Sequence, residues 1–289
     1  MKILGAAVTI PGEIHDLQSF ASGYALGAAR LAMDQAGCLP SELDLIVSLS
    51  ISPSRIVDDP AIAGPRLAHP VQRDLRARHA VVFDLLDADW MLALDFAQSH
   101  CRWLGYRRAL VVRAEALADV ERACDSGFAD GAGAIVLTAG SADRRHVSRY
   151  ADIDAPAFAS LDDIPAHGLD ETHALARFES RFDAATGCFS TEADALAAAV
   201  RTVVGEMRDH AAEPVSTLFH ESWLGVATAI DDGIDHVEGA RDIPNPFQLP
   251  AWLAGRVAES RGTRFAERTV AALTLDVFRQ RVACSTMEV

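Results

Sequence analysis

The chain has 289 residues, 50% hydrophobic and 23% charged, which is enough apolar material for one large domain or two ordinary ones and excludes disordered and fibrous classes. Its formal charge of -15, from 41 acidic and 26 basic side chains, repels phosphate backbones and anionic headgroups, so nucleic acid is not an expected partner. Residues 1–10 lack the basic region and cleavage site of a signal peptide, and no apolar run is long enough to span a bilayer. The five cysteines, Cys38, Cys101, Cys124, Cys188 and Cys284, form no Cys-x-x-Cys pair, and the histidines have no metal-ligand spacing. These features point to a reducing, cytoplasmic setting, with no disulfide framework, metal or cofactor expected.

Lys2 to Ile10 reads as a strand ended by Pro11-Gly12. Gly23 to Ala36 carries Tyr24, Ala25, Ala28, Leu31 and Ala32 at helical spacing and stops at Gly37. The apolar run Leu43 to Ser50 follows as a buried strand, so the opening predicts a parallel α/β sheet. Pro53 to Pro70, with four prolines and little period, reads as a long loop, and Gln72 to Arg78 as a short helix. Ala80 to Leu85 is the next strand. A helix from about Asp89 to Leu104 places Trp90, Leu94, Ala97 and Cys101 on one face. Strands at Ala109 to Arg113 and Phe128 to Leu137 close the first half.

From Ser141 to Ser190 the composition turns polar without a period. A helix over Thr191 to Ala211, a strand over Ser216 to His220, a helix over Pro250 to Glu259 and strands within Arg268 to Cys284 then repeat the grammar of the first half. The expected organisation is an N-terminal half at 1–140, a connecting excursion at 141–190 and a C-terminal half at 191–289.

Three stretches in order resemble the thiolase fold, specifically its ketoacyl-acyl-carrier-protein synthase III branch: Leu43-Asp44-Leu45-Ile46-Val47 with the later Ser50 and Pro53; Phe83-Asp84-Leu85 opening a helix; and Leu110 to Glu115 followed by Asp130-Gly131-Ala132-Gly133-Ala134. The resemblance implies two similar α/β halves layered as an α-β-α-β-α sandwich. In that family a nucleophilic cysteine stands six residues after the phenylalanine, where the helix N-terminus stabilises a thiolate and nearby N–H groups hold the oxyanion. Here that position is Asp89. A carboxylate attacking a thioester would give an acid anhydride, an uphill product. Cys101, twelve residues further along the helix and roughly 18 Å away, is a packing residue by the same reading.

The family's histidine matches His220 in Phe219-His220-Glu221-Ser222-Trp223, and its asparagine has no equivalent between Gly239 and Pro250, where Asn245 is flanked by prolines. Asp89 and His220 are therefore vestigial positions, read most simply as a helix cap and a strand-end histidine, and Asp58-Asp59 as a solvated loop. Ile51 to Ser54, Pro65 to Gln72, Val82 to Asp87 and Gly105 to Glu115 resemble one branch more closely: the cysteine-lacking subunits of alkylquinolone synthases. That resemblance implies a heterodimer or higher heteromer with a catalytic synthase-III-like chain holding an intact Cys-His-Asn set. The complex would join a medium-chain acyl group to aminobenzoylacetate. Val81, Phe83 and Leu85, on an apolar strand without a guarding lysine or proline, are the expected interface, with the proline-rich loop reaching across. Two alternatives stand beside it: a cysteine-independent decarboxylase or hydrolase using His220 and Asp89, and an acyl-ligand binding protein.

Overall fold

The computed structural model describes residues 1–11, 20–51, 64–86, 88–117, 129–140, 146–153, 182–183, 188–189, 193–211, 213–215, 217–224, 236–239, 242–262, 269–276 and 281–289. Most of the Pro53 to Pro70 loop, Asp58-Asp59 and Cys124 lie outside the described residues.

β1 (Lys2–Thr9) leads into α1 (Ala21–Ala36), which ends at Gly37 in the left-handed region (φ 60°), a conformation glycine adopts without strain. β2 (Leu45–Ser50), buried throughout, pairs in parallel with β3 (Val81–Leu86) on one side and β4 (Ala109–Glu115) on the other. α2 (Ala68–Leu75) begins before the proline that the sequence reading placed in a loop: Pro70 occupies the first turn, where an N–H has no helical partner to lose. α3 (Trp90–Leu104) joins β3 to β4, and β5 (Gly131–Thr138) runs antiparallel between β4 and β1.

The small residues of β5 are required by close approach. A Cβ on Gly133 would strike the Pro250 ring, and Gly131, at φ 140°, would place one 2.7 Å from the Thr9 carbonyl oxygen. The segment expected as a connecting excursion contributes a strand to the main sheet, β6 (Ser148–Asp152), and a separate small pairing of β7 (Phe182–Asp183) with β8 (Cys188–Phe189). The C-terminal half adds α4 (Ala193–His210), β9 (Thr217–His220), β10 (His236–Glu238), α5 (Gln248–Gly262), β11 (Thr269–Asp276) and β12 (Arg281–Glu288).

The main sheet has ten strands in the order β10-β9-β11-β12-β1-β5-β4-β2-β3, with β6 beside β12. Its halves meet through the parallel pair Lys2–Glu288. Leu45, Val47, Val111 and Ile135 of the first half share one core with Phe219, Ala272, Ala283 and Met287 of the second, and α3 and α5 supply Trp90, Leu94, Ala97, Leu249 and Leu253 between them. The outer face of the first half, with Ile46, Leu110 and Val136, packs on α1 and α2. The outer face of the second, with Leu218, Ala271 and Cys284, packs on α4. The layers are therefore α-β-α-β-α, as the resemblance implies. The two halves use mixed sheets, because β5, β11 and β12 include antiparallel pairings.

Candidate functional site

Asp89 caps α3. Its backbone is extended (φ -88°, ψ 171°) and its Oδ1 accepts the Leu92 N–H at 3.1 Å, the ordinary use of aspartate at a helix start. Its Oδ2 accepts the Thr274 hydroxyl of β11 at 3.0 Å, a contact between residues 185 apart in sequence. The side chain is buried, with 6% exposure, and so is Asp276 at the end of β11. Burial, and then the charge of Asp276, push the Asp89 carboxyl up to about 6, against the Leu92 and Thr274 hydrogen bonds and the more distant Arg281. Asp89 is thus a desolvated carboxyl group with two hydrogen-bond donors already on it. Nothing in that set makes a nucleophile competent toward a thioester.

His220 ends β9, buried, with its Nδ1 3.1 Å from the Glu221 carbonyl oxygen. Its neighbour in register on β11 is Leu273, which belongs to the core under α4, whereas Phe219 and Ala272 belong to the core around α3 and α5. Strand alternation therefore puts His220 on the α4 side and the Asp89–Thr274 contact on the other. Asp89 heads α3 and bonds β11, the strand that pairs with β9, and His220 ends β9.

Asn245 is better placed than its proline-flanked sequence indicates. It opens a short 3-10 turn (Asn245–Phe247), is buried, and its Oδ1 accepts the Ser222 hydroxyl at 2.6 Å and the Gln248 Nε2 at 2.9 Å. Ser222 lies two residues beyond His220, and the indole of Trp90, next to Asp89, donates to the Pro246 carbonyl at 2.7 Å. Ser222 and Trp90 thus tie the ends of β9 and α3 to the same short turn, and the amide oxygen of Asn245 is used there to hold it. Cys101 is buried with its thiol pushed up to about 11 by desolvation and then by Asp44, and burial alone pushes Cys284 to about 12. Among the described residues no group of histidine, cysteine and carboxylate side chains could hold a metal ion, and no helix is long and apolar enough to cross a membrane.

The second feature is an edge. β3 ends the sheet, and Val81, Phe83 and Leu85, which lie beside Leu45, Val47 and Leu49 in register, all turn toward α3. Val81 is 41% exposed. Phe83 meets Phe96 edge-on at 5.0 Å and His100 at 5.5 Å, and Phe96 and His100 lie 4.1 Å apart. On α3 this aromatic stripe continues to Trp103, 81% exposed, and Leu104, 58% exposed. Leu92, Phe96, His100 and Trp103 recur at spacings of four, four and three, a second apolar face of α3 that was missed because the buried face of Trp90, Leu94, Ala97 and Cys101 dominates the pattern. Behind the strand, Asp84 ties β3 to α2: it accepts the Ser48 hydroxyl and the backbone N–H groups of Leu67 at 3.0 Å and Ala68 at 2.8 Å.

No protein-family model matches the chain. Among curated proteins it is similar to the 2-heptyl-4(1H)-quinolone synthase subunit PqsB of Pseudomonas aeruginosa PAO1, 41% identical over 112 residues, which cover 39% of this chain and 40% of PqsB. It is also similar to the β-ketoacyl-acyl-carrier-protein synthase III of Synechococcus sp. WH7803, 40% identical over 123 residues, covering 40% of this chain and 34% of that enzyme. These likenesses thus span two fifths or less of the relatives' own length. Solved structures extend the likeness in shape: synthase III of Aquifex aeolicus VF5 (TM-score 0.63, 20% identity, 99% of this chain and 98% of that one) and the priming β-ketosynthase of the R1128 polyketide pathway (TM-score 0.64, 16% identity, 100% and 96%). The chain is a thiolase-fold protein, shaped like the synthase III enzymes along its length and similar in sequence to PqsB and to those enzymes over about two fifths of it.

Proposed function

We propose that this chain is the PqsB-like, non-catalytic subunit of an alkylquinolone synthase. It pairs with a synthase-III-like chain whose intact Cys-His-Asn set carries a medium-chain acyl group as a thioester and joins it to aminobenzoylacetate, giving an alkylhydroxyquinoline. The observation that carries the reading is Asp89: a buried carboxyl group caps α3 where the family's nucleophile stands, with both oxygens already accepting hydrogen bonds. The likeness to PqsB supports the assignment to that type of complex. The aromatic edge of β3 and α3 supports a partner, since a terminal strand without charged guards on its α3 face, flanked by an exposed tryptophan, is a surface that association would cover.

Two measurements on the intact chain test this. Incubation with octanoyl-CoA followed by intact-protein mass spectrometry gives no stoichiometric acyl adduct; a stable adduct that survives replacement of the cysteines overturns the non-catalytic reading. Co-expression with a synthase-III-like chain that holds an intact Cys-His-Asn set gives a heteromer by size exclusion with light scattering. A chain that stays monomeric, or forms homodimers only, beside that partner overturns the subunit reading. The alternative in which His220 and Asp89 act together is not favoured, because Asp89 bonds Leu92 and Thr274 while His220 bonds the Glu221 carbonyl.

A further inference from the structure

At the end of the sheet remote from Asp89, strands β2, β3 and β4 start side by side, with Leu45 in register with both Val81 and Ala109. The turns that feed them are tied to one another through Asp44. Its carboxylate accepts the Arg107 N–H at 2.7 Å, its own N–H donates to the Arg108 carbonyl at 3.0 Å, and its carbonyl accepts the Val81 N–H at 2.9 Å. Of the six large hydrophobic side chains exposed among the described residues, four stand at this end: Leu39, Val81, Trp103 and Leu104. Val81 and Leu104 share a level. From the contact of Phe83 with His100, two residues back along β3 cover about 6.6 Å, and four residues on along α3 cover about 6 Å.

The same turns are basic. Residues 37–44, 76–80 and 102–108, which lead into β2, β3 and β4, hold five arginines and two carboxylates, in a chain whose acids outnumber its bases 41 to 26. Both carboxylates are engaged, Glu42 by Arg108 at 2.8 Å and Asp44 by Arg107 at 3.5 Å. Arg76, Arg78 and Arg102 are exposed, and none has a carboxylate partner among the described residues. Arg76 is also the one non-glycine residue described in the left-handed region, with φ 62° at the end of α2. Helices α1 and α3 end in the same conformation on Gly37 and Gly105, which enter it without strain. Arginine there works against the backbone preference, and what it supplies that glycine does not is an exposed charge.

We infer that this end of the sheet is an electrostatic docking surface, and that its occupant is an acidic face of the synthase-III-like partner. The inference rests on the subunit reading above and adds the chemistry of the contact. Val81 and Trp103 belong both to the aromatic edge and to the arginine-rich end, so a chain that covers the first reaches the second. An overall charge of -15 repels acidic partners from the molecule at large, and these arginines are where carboxylates are drawn in. Arg102 and Trp103, with the guanidinium carbon 6.0 Å from the ring, are of the residue types that anchor interfaces. The arginines steer encounter and set orientation, while the apolar side chains set the lifetime of the complex.

Surface plasmon resonance of the whole chain against a synthase-III-like chain with an intact Cys-His-Asn set separates these roles. Between about 50 and about 500 mM salt the association rate falls at least about tenfold, because screening shortens the reach of the arginines. Arg78→Glu with Arg107→Glu lowers the association rate at low salt about tenfold, flattens its salt dependence and leaves dissociation within about twofold. Arg78→Lys with Arg107→Lys keeps the wild-type rate. Arg76→Gly also slows association, while its urea midpoint equals or exceeds that of the wild type. A heteromer that forms at a rate indifferent to salt and to the charge reversal overturns the inference and leaves the subunit reading standing. A rate that rises with salt overturns it too, since the partner's face is then basic. No heteromer at any salt overturns both. If the doubly reversed variant does not fold, Arg76→Gly decides, and an unchanged association rate in it overturns the inference.

Discussion

Replacing Asp89 by asparagine removes a charge that the fold holds at a loss. The Asp89 carboxyl is raised from 3.8 to about 6 by burial and by Asp276, so the folded chain keeps a proton through an interval in which the unfolded chain has released it. Because the raised group is an acid, stability is highest below that interval, falls as pH climbs from about 4 to about 6 and is fully reduced above it. Two units at about 1.4 kcal/mol each come to about 3 kcal/mol at neutral pH.

Asparagine caps helices about as well as aspartate and can still accept the Leu92 N–H, while its amide can donate to the Thr274 oxygen. It forfeits the attraction of an anion for the helix N-terminus, about 0.3–1 kcal/mol. The expected result is that Asp89→Asn is more stable than the wild type by about 2 kcal/mol at pH 8 and no more stable at pH 4.5. Urea midpoints at several pH values, with unchanged slope, measure this. If the variant loses the same stability at pH 8 as at pH 4.5, the carboxylate has a compensating partner in the folded chain and the argument from desolvation fails.

Asp89→Cys places a thiol at the head of α3 but leaves Asn245 engaged with Ser222 and His220 on the other face, so the isolated variant is expected to alkylate with iodoacetamide faster than Cys101 yet show no condensing turnover, read by product mass spectrometry. Phe83→Asp puts a charge into the aromatic edge and is expected to abolish heteromer formation in size exclusion. Trp103→Glu, at an exposed position, should leave the unfolding midpoint of the isolated chain within about 0.5 kcal/mol of wild type and still weaken the heteromer at least about tenfold by titration calorimetry; equal binding would place the interface elsewhere. Glu115→Ala removes a buried ion pair with Arg113 at 3.0 Å and an acceptor used by the Ser50 hydroxyl and the Ile51 N–H, which should cost about 3–5 kcal/mol in urea unfolding.

The parts of this architecture that were legible in the sequence are those governed by local rules. Phe83-Asp84 reads as a strand running into a helix, and the glycines of β5 read as close approach, because strand period and missing Cβ atoms leave marks within ten residues. The start of α2 was misjudged for a local reason as well: prolines signal loops, yet a proline in the first helical turn loses nothing. The contacts of Asn245 were illegible for a different reason. Its prolines broke the expected motif, and its real relation to the His220 turn is a hydrogen bond to Ser222, 23 residues earlier, which no pattern announces. The proximity of Asp276 to Asp89 is of the same kind, since it exists only once β11 lies beside the head of α3.

What unites the unseen features is α3. One helix carries the Asp89 cap, a buried face in the central core, an aromatic face at the open edge, and Asp95 hydrogen-bonded to His146. A catalytic helix of this fold must hold its first turn to a fraction of an ångström, because a nucleophile displaced by about 1 Å loses much of its rate. Under the non-catalytic reading proposed above that demand is absent, yet the contacts of this helix on three sides remain. The remaining reason to hold α3 rigidly is its fourth side: Phe96, His100 and Trp103 form a surface with Phe83 only if helix and strand keep their spacing. Rigid presentation of such a surface lowers the ordering cost of association. By this argument, loosening α3 from behind, through Asp95→Asn, should weaken a partner's grip on the front without touching it, and should do so by speeding dissociation, since no charge that steers encounter at the edge is altered. Surface plasmon resonance of the heteromer separates the rates. An unchanged dissociation rate in the folded Asp95→Asn variant would show that the edge keeps its shape without the Asp95 contacts to His146, Ser148 and Tyr150.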